Sequence, residues 1–265
     1  QVGLYFGVQR IALFIGTMAL AIEGMLLPAI SNLHTNKKES EIRTLVHHTE
    51  RYVAMICIPL VVMTIVWSSE IILVFISQEF LPASKILQIL ALVALIGVLN
   101  RPWSVALRGS DRPDLTSILS IMSSILSIIL MLILVPKRIP QLGLENLFGL
   151  GGEGAAYALL ISEIIVGISL RLMCYRYLKI LPKSNFFVQV LVAAIVGLIM
   201  WQVQETFTVD KWFELFFLSG LGGLLFLLVL SMIGSFTQKD FNFFWNTLNP
   251  KSMKKYVGEE LKRET

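Results

Sequence analysis

The sequence has few of the residues from which soluble enzymes build their sites. Two cysteines, three histidines and four aspartates are spread over 265 positions, and only 15% of the residues are charged. Both cysteines, Cys57 and Cys174, lie within apolar segments, so a disulfide framework is not expected. The sequence contains no HExxH pair, no Cys/His cluster and no Gly-x-Ser-x-Gly motif. We therefore predict no metal site, no cofactor and no catalytic residues.

The scarcity of charge is matched by long apolar runs. Hydrophobic residues make up 55% of the chain, and the mean hydropathy is +0.75. About a quarter of the residues in a soluble domain are charged, whereas a helix needs roughly 20 apolar residues to cross a bilayer. The composition therefore predicts an all-α fold, a polytopic membrane helix bundle with about seven transmembrane helices.

Seven apolar stretches have the required length, and polar clusters or prolines separate them. The predicted bundle covers residues 1–236, with helices at 3–33, 48–76, 82–108, 114–136, 153–178, 185–204 and 212–235. Pro59 is expected to kink the second of these helices. Residues 237–265 are predicted to form a cytoplasmic amphipathic tail, because TQKD matches a capping box and the aromatic residues after it recur at helical spacing. A solvated tail with one apolar face fits the same pattern.

The basic residues predict the orientation. With these spans, 17 of the 22 lysines and arginines fall on one side of the membrane. The five on the opposite side are Arg10, Lys85, Lys137, Arg138 and Lys211. Cytoplasmic loops of membrane proteins are enriched in Lys and Arg. We therefore expect a multi-pass protein of the cell (plasma or inner) membrane, with residue 1 outside and the tail in the cytoplasm, and no nucleic-acid partner.

Five polar residues lie within the predicted helices, and we consider them candidate substrate-binding residues of a cavity: Arg10, Glu23, Asn100, Arg101 and Glu163. A charge at the bilayer centre costs about 2.5–3.5 kcal/mol on insertion scales, so it normally faces the bundle interior or a watery cavity. The two arginines could instead reach opposite membrane surfaces along their long stems. Both glutamates are too short for this, so each is either protonated and hydrogen-bonded or turned toward a cavity. Inward-facing guanidinium groups suit an anionic substrate.

Six segments in order resemble polysaccharide-biosynthesis flippases, which belong to the multidrug/oligosaccharidyl-lipid/polysaccharide exporter superfamily. The first is VGLYFGVQRIALF followed by LLPAISNL; the others are ICIPLVVM, SQEFLPASKILQILAL, LNRPWSVALRGSDRPDL, GEGAAYALLISE and FTQKDFNFFWNTL. The resemblance covers nearly the whole chain. It departs from the family at SQEF, which lacks the usual glycine, so the conformation of that outer loop is not carried over.

The resemblance implies two helical lobes around a cavity that opens to one face at a time. Some members have fourteen helices, and the seven helices of this chain are similar to the eighth to fourteenth of those. The first five would then be the second lobe without its first helix, and residues 185–235 would be an extra C-terminal pair. This placement implies that the chain is the C-terminal half of a flippase, which would also explain why residue 1 is Gln rather than Met. The N-terminal lobe would then belong to the same protein or to a partner chain. In relatives that move peptidoglycan lipid precursors, an arginine at the place of Arg10 lines the cavity.

The function implied by the resemblance is transport rather than catalysis. The chain would help to translocate a polyprenyl-phosphate-linked oligosaccharide for cell-surface polysaccharide synthesis, with membrane lipid and that glycan as its partners. Three alternatives stay open. A cation-coupled multidrug exporter would need an acidic site in the first lobe. A membrane glycan polymerase or transferase would need catalytic groups in an outer loop, where 137–152 offers Lys137, Arg138 and Glu145. A half-size accessory protein or a remnant is the third.

Overall fold

The computed structural model describes residues 2–139, 146–181, 185–207, 209, 211–238 and 240, and this part of the chain is all-α. Its helices are α1 (Val2–Thr35), α2 (Glu39–Val66), α3 (Ser68–Phe75), α4 (Ser84–Gly109), α5 (Pro113–Leu134), α6 (Gly152–Leu178), α7 (Asn185–Thr206) and α8 (Trp212–Met232), with a 3₁₀ turn at Gln78–Ala83 before α4. All of them except the short α3 are long and apolar enough to cross a membrane, which makes seven crossings within the described residues. The predicted fold class is confirmed.

The second membrane crossing differs most from its sequence-based description. α2 begins at Glu39 rather than at residue 48, because its polar first turns bury Ile42 one turn before Val46 and so remain helical. The helix runs through Pro59 and ends at Val66, next to the fully buried Trp67. The predicted single span to residue 76 is therefore two helices.

A glutamine of α4 stabilises the break between α2 and α3. Gln88 Nε2 donates hydrogen bonds to the carbonyl oxygen of Ile65 at 3.2 Å and to Ser68 Oγ at 2.9 Å. Backbone groups released by a helix break need a partner when water is excluded. The side chain of Gln88 supplies one, so the break is fixed by packing against α4.

α4 lies at the centre of the described helices and packs against α1, α2, α5 and α6. Its buried side chains cover most of its circumference, as expected for a helix enclosed by others. α6 approaches it closely at Gly167, where an added Cβ would lie 2.6 Å from Asn100 Oδ1. Glycine at this position lets the polar side chain of Asn100 reach the backbone of α6.

The α7–α8 pair packs on the outside of α2. Gly222 of α8 lies against Met63, and Gln204 Nε2 at the end of α7 donates to Glu70 Oε1 at 2.8 Å. One face of α1 and the apolar face of α5 remain exposed. Apolar side chains exposed on a membrane helix face lipid or a further protein surface.

The beginning of the predicted tail is tied to α2. Thr237 donates to Asp240 Oδ2 from both its backbone nitrogen and its hydroxyl, each at 2.8 Å. Arg51 Nη2 donates to the same carboxylate oxygen at 2.5 Å and to the carbonyl of Ser235 at 2.9 Å. We call these four residues the tail clamp. The rest of the predicted amphipathic tail, residues 239 and 241–265, lies outside the described residues, as does Glu145 of the predicted outer loop.

Candidate functional site

Arg10 lies on the face of α1 that the other described helices leave uncovered. Val8, Ala12 and Ile15 are buried against neighbouring helices. Position 10 is rotated by about 200° from position 8 on a helix of 3.6 residues per turn, so its side chain points away from them. Arg10 is exposed and makes no ion pair or hydrogen bond with any residue that the structure describes. Its charge is therefore available to a group outside this set of helices.

Arg10 belongs to a line of small and polar residues along α1. Gly3, Arg10, Thr17, Gly24 and Ser31 recur every seven residues, and all five are exposed. A seven-residue interval keeps them on one face, with a drift of about 20° per step. We call this set the polar line. Exposed apolar side chains flank it on both sides: Phe6, Leu13, Phe14, Leu20 and Met25.

Glu23 accepts hydrogen bonds from two arginines of α4. Arg108 Nη1 lies 2.7 Å from Glu23 Oε1, and Arg101 Nη1 lies 3.2 Å from Oε2. The two arginines are seven residues apart on α4 and therefore share a face that turns toward α1. Charge-assisted bonds to two guanidinium groups stabilise the carboxylate in the middle of an apolar helix. Glu23 is thus ionised and paired, and Arg101 is held by it rather than directed to the membrane surface.

Asn100 links α4 to α6. Its Nδ2 donates to the backbone carbonyl of Glu163 at 3.2 Å and to Glu163 Oε2 at 3.4 Å. Its Oδ1 accepts from Arg171 Nη1 at 2.9 Å. Asn100 is 95% buried, and three of its four hydrogen-bonding positions are used within the protein. The amide therefore fixes the relative position of the two helices at this depth.

Arg171 carries the same network across to α2. Its Nη2 donates to Glu50 Oε1 at 2.8 Å, and the same oxygen accepts from Trp103 Nε1 at 2.8 Å. The guanidinium carbon also lies 5.2 Å from the centre of the Trp103 ring, within cation–π range. Three helices are therefore joined by hydrogen bonds between side chains that sequence positions alone do not bring together.

A cleft of about 280 Å³ opens between α4, α5 and α6, beside this network. Asn100, Arg101 and Glu163 line it, together with the hydroxyl-bearing residues Ser104, Ser120 and Ser123. Glu163 forms no ion pair with any described residue, and Gly97 leaves the space beside its Oε2 open. The cleft thus combines one guanidinium already bound to Glu23 with one carboxylate that lacks a cation.

The structure brings Glu23, Arg101, Asn100 and Glu163 together and leaves Arg10 apart, on the opposite face of α1. Three partners were not predicted from the sequence: Glu50, Arg108 and Arg171. The two arginines were counted with the basic residues of the cytoplasmic side, and no role was predicted for Glu50. The seven-residue interval between Arg101 and Arg108 was a signal that could have placed both on one helix face.

The paired acids and bases do not form a metal centre. Within the described residues, no group of three or more His, Cys, Asp or Glu side chains is placed to hold an ion. His34 contacts Asp111 at 3.7 Å, but at an exposed end of the bundle. Among the described residues, the charged groups in the middle of the membrane helices instead form two clusters, and Arg10 lies apart from both on an open face.

The fold is similar to that of a solved structure described as "Lipid II flippase MurJ, inward closed conformation". The superposition has a TM-score of 0.67 and 21% sequence identity, and it covers 88% of this chain and 46% of that one. The chain thus spans less than half the length of the flippase it matches. A search of curated proteins found no similar sequence. The MatE family profile matches residues 2–133, so this part of the chain, about half of its length, belongs to the MatE family of membrane transporters.

Proposed function

We propose that the chain is part of a flippase that moves a polyprenyl-phosphate-linked oligosaccharide from the cytoplasmic to the outer face of the cell membrane by alternating access. The MatE family match and the MurJ-like fold support a transporter of this kind. In this proposal residues 1–236 form the membrane bundle, the first residue lies outside, and residues 237–265 lie in the cytoplasm. An N-terminal lobe, in the same protein or a partner chain, supplies the other wall of the cavity.

The exposed guanidinium of Arg10 carries the proposal. An unpaired charge facing hydrocarbon costs several kcal/mol, so its face of α1 borders water or a charged ligand rather than lipid tails. The polar line supports the same conclusion, because its small residues leave room along the helix for a bulky ligand. Phosphate binds guanidinium by charge-assisted hydrogen bonds. Arg10 would hold the (di)phosphate while the apolar flanks of the line contact the polyprenyl chain.

The test is binding of polyprenyl phosphate and polyprenyl diphosphate to the purified chain in lipid nanodiscs, followed by native mass spectrometry. We expect Arg10→Ala to weaken binding about tenfold or more, since a charge-assisted hydrogen bond contributes about 1.5–3 kcal/mol. Arg10→Lys should retain part of the affinity, because it keeps the charge but not the planar fork. In a complete transporter that carries this lobe, Arg10→Ala should abolish complementation.

Lys85→Ala is the matched control. Lys85 is a basic residue predicted on the same side of the membrane, but its ammonium is already held by Glu153 at 2.7 Å. Its removal should leave the binding of polyprenyl phosphate unchanged. Equal affinities for the native chain and Arg10→Ala would contradict the proposed role of Arg10.

A cation-coupled multidrug exporter is the second candidate, because the family match applies to it as well. Such a protein binds lipophilic cations, which an exposed arginine disfavours. Binding of a lipophilic cation such as ethidium, with no binding of polyprenyl phosphate, would favour the exporter.

A further inference from the structure

Glu23 and Glu163 differ in the number of arginines that bind them, although both lie deep in the bundle. Glu23 is held by Arg101 and by Arg108. Glu163 is half-buried and has only the amide of Asn100, at 3.4 Å from its Oε2. Glu163 lies about eleven residues, or 16 Å, along α6 from the first residue of that helix. A carboxylate at this depth without a cation beside it is poorly stabilised in its ionised form. Within the described residues, the oxygens of Glu163 thus have one long amide contact and no ion-pair partner to balance a negative charge.

Arg101 is the cationic group that can stabilise the ionised form of Glu163. It lines the same cleft as Glu163, its side chain is 45% exposed, and only its Nη1 is engaged, with Glu23. If it leaves Glu23, Arg108 still holds that carboxylate at 2.7 Å. The movement therefore does not leave a bare charge behind.

No other described charge competes for Glu163. α5 presents Ser120 and Ser123 to the cleft, and α4 presents Asn100 and Arg101. On α6 itself the nearest charge is Arg171, which Glu50 and Asn100 hold. From α1, Glu23 reaches only the two arginines of α4, and Arg10 lies on the far face of the helix.

We propose that Glu163 is a proton-binding site and that Arg101 exchanges between the carboxylates of Glu23 and Glu163. Which of the two it binds depends on whether Glu163 carries the proton. When Glu163 carries a proton, Arg101 binds Glu23 and links α4 to α1. When the proton leaves to the water of the open cleft, the Glu163 carboxylate attracts Arg101 and the link passes to α6. Protonation thus controls how firmly α1, the helix that carries the polar line, is attached to α4. The exchange involves only these side chains and requires no bound substrate.

A double-mutant cycle at two pH values tests the exchange. Native chain, Glu23→Gln, Arg101→Ala and the double variant are purified in nanodiscs, and their Tm values are compared at mildly acidic and at alkaline pH. We expect the Tm losses to be strongly non-additive at acidic pH, where the pair is formed. The non-additivity should shrink at least twofold at alkaline pH, where Glu163 competes for Arg101.

The same cycle in a Glu163→Gln background is the control, because glutamine cannot ionise. There the non-additivity should be equal at both pH values. A native cycle that does not change with pH would overturn the exchange, and so would a pH dependence that survives Glu163→Gln.

Infrared spectroscopy tests the proton site without unfolding the protein. At the mildly acidic pH of the cycle the native chain should show the C=O stretching band of a protonated carboxylic acid, and Glu163→Gln should remove it. Glu153→Gln, at the paired end of the same helix, should leave the band unchanged. A spectrum that is identical in native chain and Glu163→Gln would overturn the proposal. Failure here leaves the role of Arg10 untouched, because neither measurement involves the substrate.

Discussion

Arg171 reaches from α6 past Asn100 of α4 to Glu50 of α2, and its position shows how single residues hold this bundle together. The Glu50 side chain is 14% exposed and that of Arg171 27%. Water therefore screens the pair only in part. Removing one member of such a pair leaves the other as an uncompensated charge, which destabilises the fold far more than the pair stabilises it.

Glu50→Gln should lower the free energy of unfolding by about 3 kcal/mol, the lower end of the range for a broken buried pair, because Arg171 keeps some access to water. Glutamine preserves the size of the side chain and an acceptor for Trp103 Nε1, so the loss reports the charge. Chemical or thermal unfolding in detergent micelles measures it.

Glu41→Gln is the matched comparison. It removes the same kind of charge from an ion pair with Lys38, in which both side chains are 53% exposed. Exposed pairs contribute up to about 1 kcal/mol, so this variant should unfold almost as the native chain does. Equal losses for the two variants would refute the structural importance of the Glu50–Arg171 pair.

The charges that lie within the membrane helices were visible in the sequence, but the partners of the glutamates were not. Arg10, Glu23 and Glu163 stand out because each interrupts an apolar run. Arg101 lies 78 residues from Glu23, and Arg171 lies 121 residues from Glu50, so only helix packing brings them together. A residue near a predicted helix end also looks like a surface charge, which is why Arg108 and Arg171 were missed.

At the scale of the helices, the tail clamp fastens the end of α8 to α2. Asp240 is almost fully buried, and burial alone would raise its pKa. The hydrogen bonds from Thr237 and the charge of Arg51 outweigh that effect, so the pKa of Asp240 lies below its ordinary value. The ionised form is the one that the clamp requires.

Stability should therefore fall in acid. A carboxyl group whose pKa is lower in the folded state contributes its full stabilisation above the unfolded value of about 3.9. The contribution is lost as the pH falls from there through the lower folded pKa. Asp240→Asn should remove this stabilising contribution at neutral pH, so the Tm of the variant should change less than that of the native chain as the pH falls. Thermal unfolding followed between about pH 3 and pH 7 measures both effects.

Asp111→Asn controls for loss of an aspartate as such. The side chain of Asp111 is 93% exposed, and one of its carboxylate oxygens lies 3.7 Å from His34 Nε2. This variant should keep the native Tm at neutral pH and the native decline in acid. An Asp240→Asn curve that follows the native one would show that the clamp does not stabilise the fold.

The sequence predicted the helices well in number and less well in extent. Long apolar runs made the seven crossings evident. The break at Trp67 was not evident, because it depends on Gln88, which lies 20 residues or more away and gives no local signal. The early start of α2 was hidden by polar residues that look like a loop until Ile42 and Val46 are seen to share a buried face.

At the scale of the whole molecule, the basic residues predict which end of each helix faces the cytoplasm. Ser40 and Gln78 are exposed residues near the two ends of the crossing that α2 and α3 form. In cells, a membrane-impermeant thiol reagent should label Gln78→Cys directly. Ser40→Cys should be labelled only after permeabilisation.

The native cysteines allow this experiment without further substitution. Neither Cys57 nor Cys174 forms a disulfide and both are buried, so the unsubstituted chain should give little signal. Labelling of Ser40→Cys in intact cells, with Gln78→Cys protected, would show that the chain has the reverse orientation.

The arginine and glutamate clusters also bear on how the lobe responds to the membrane potential. Arg101, Arg108 and Arg171 balance Glu23, Glu50 and Glu163 when all six are ionised. Moving them together through the electric field then requires no electrical work. With a proton on Glu163 the clusters carry one net positive charge, for which a full crossing is worth about 2.3 kcal/mol per 100 mV. On the proposal made above, protonation of Glu163 therefore adds one positive charge on which the voltage across the membrane acts, in addition to the charge of Arg10.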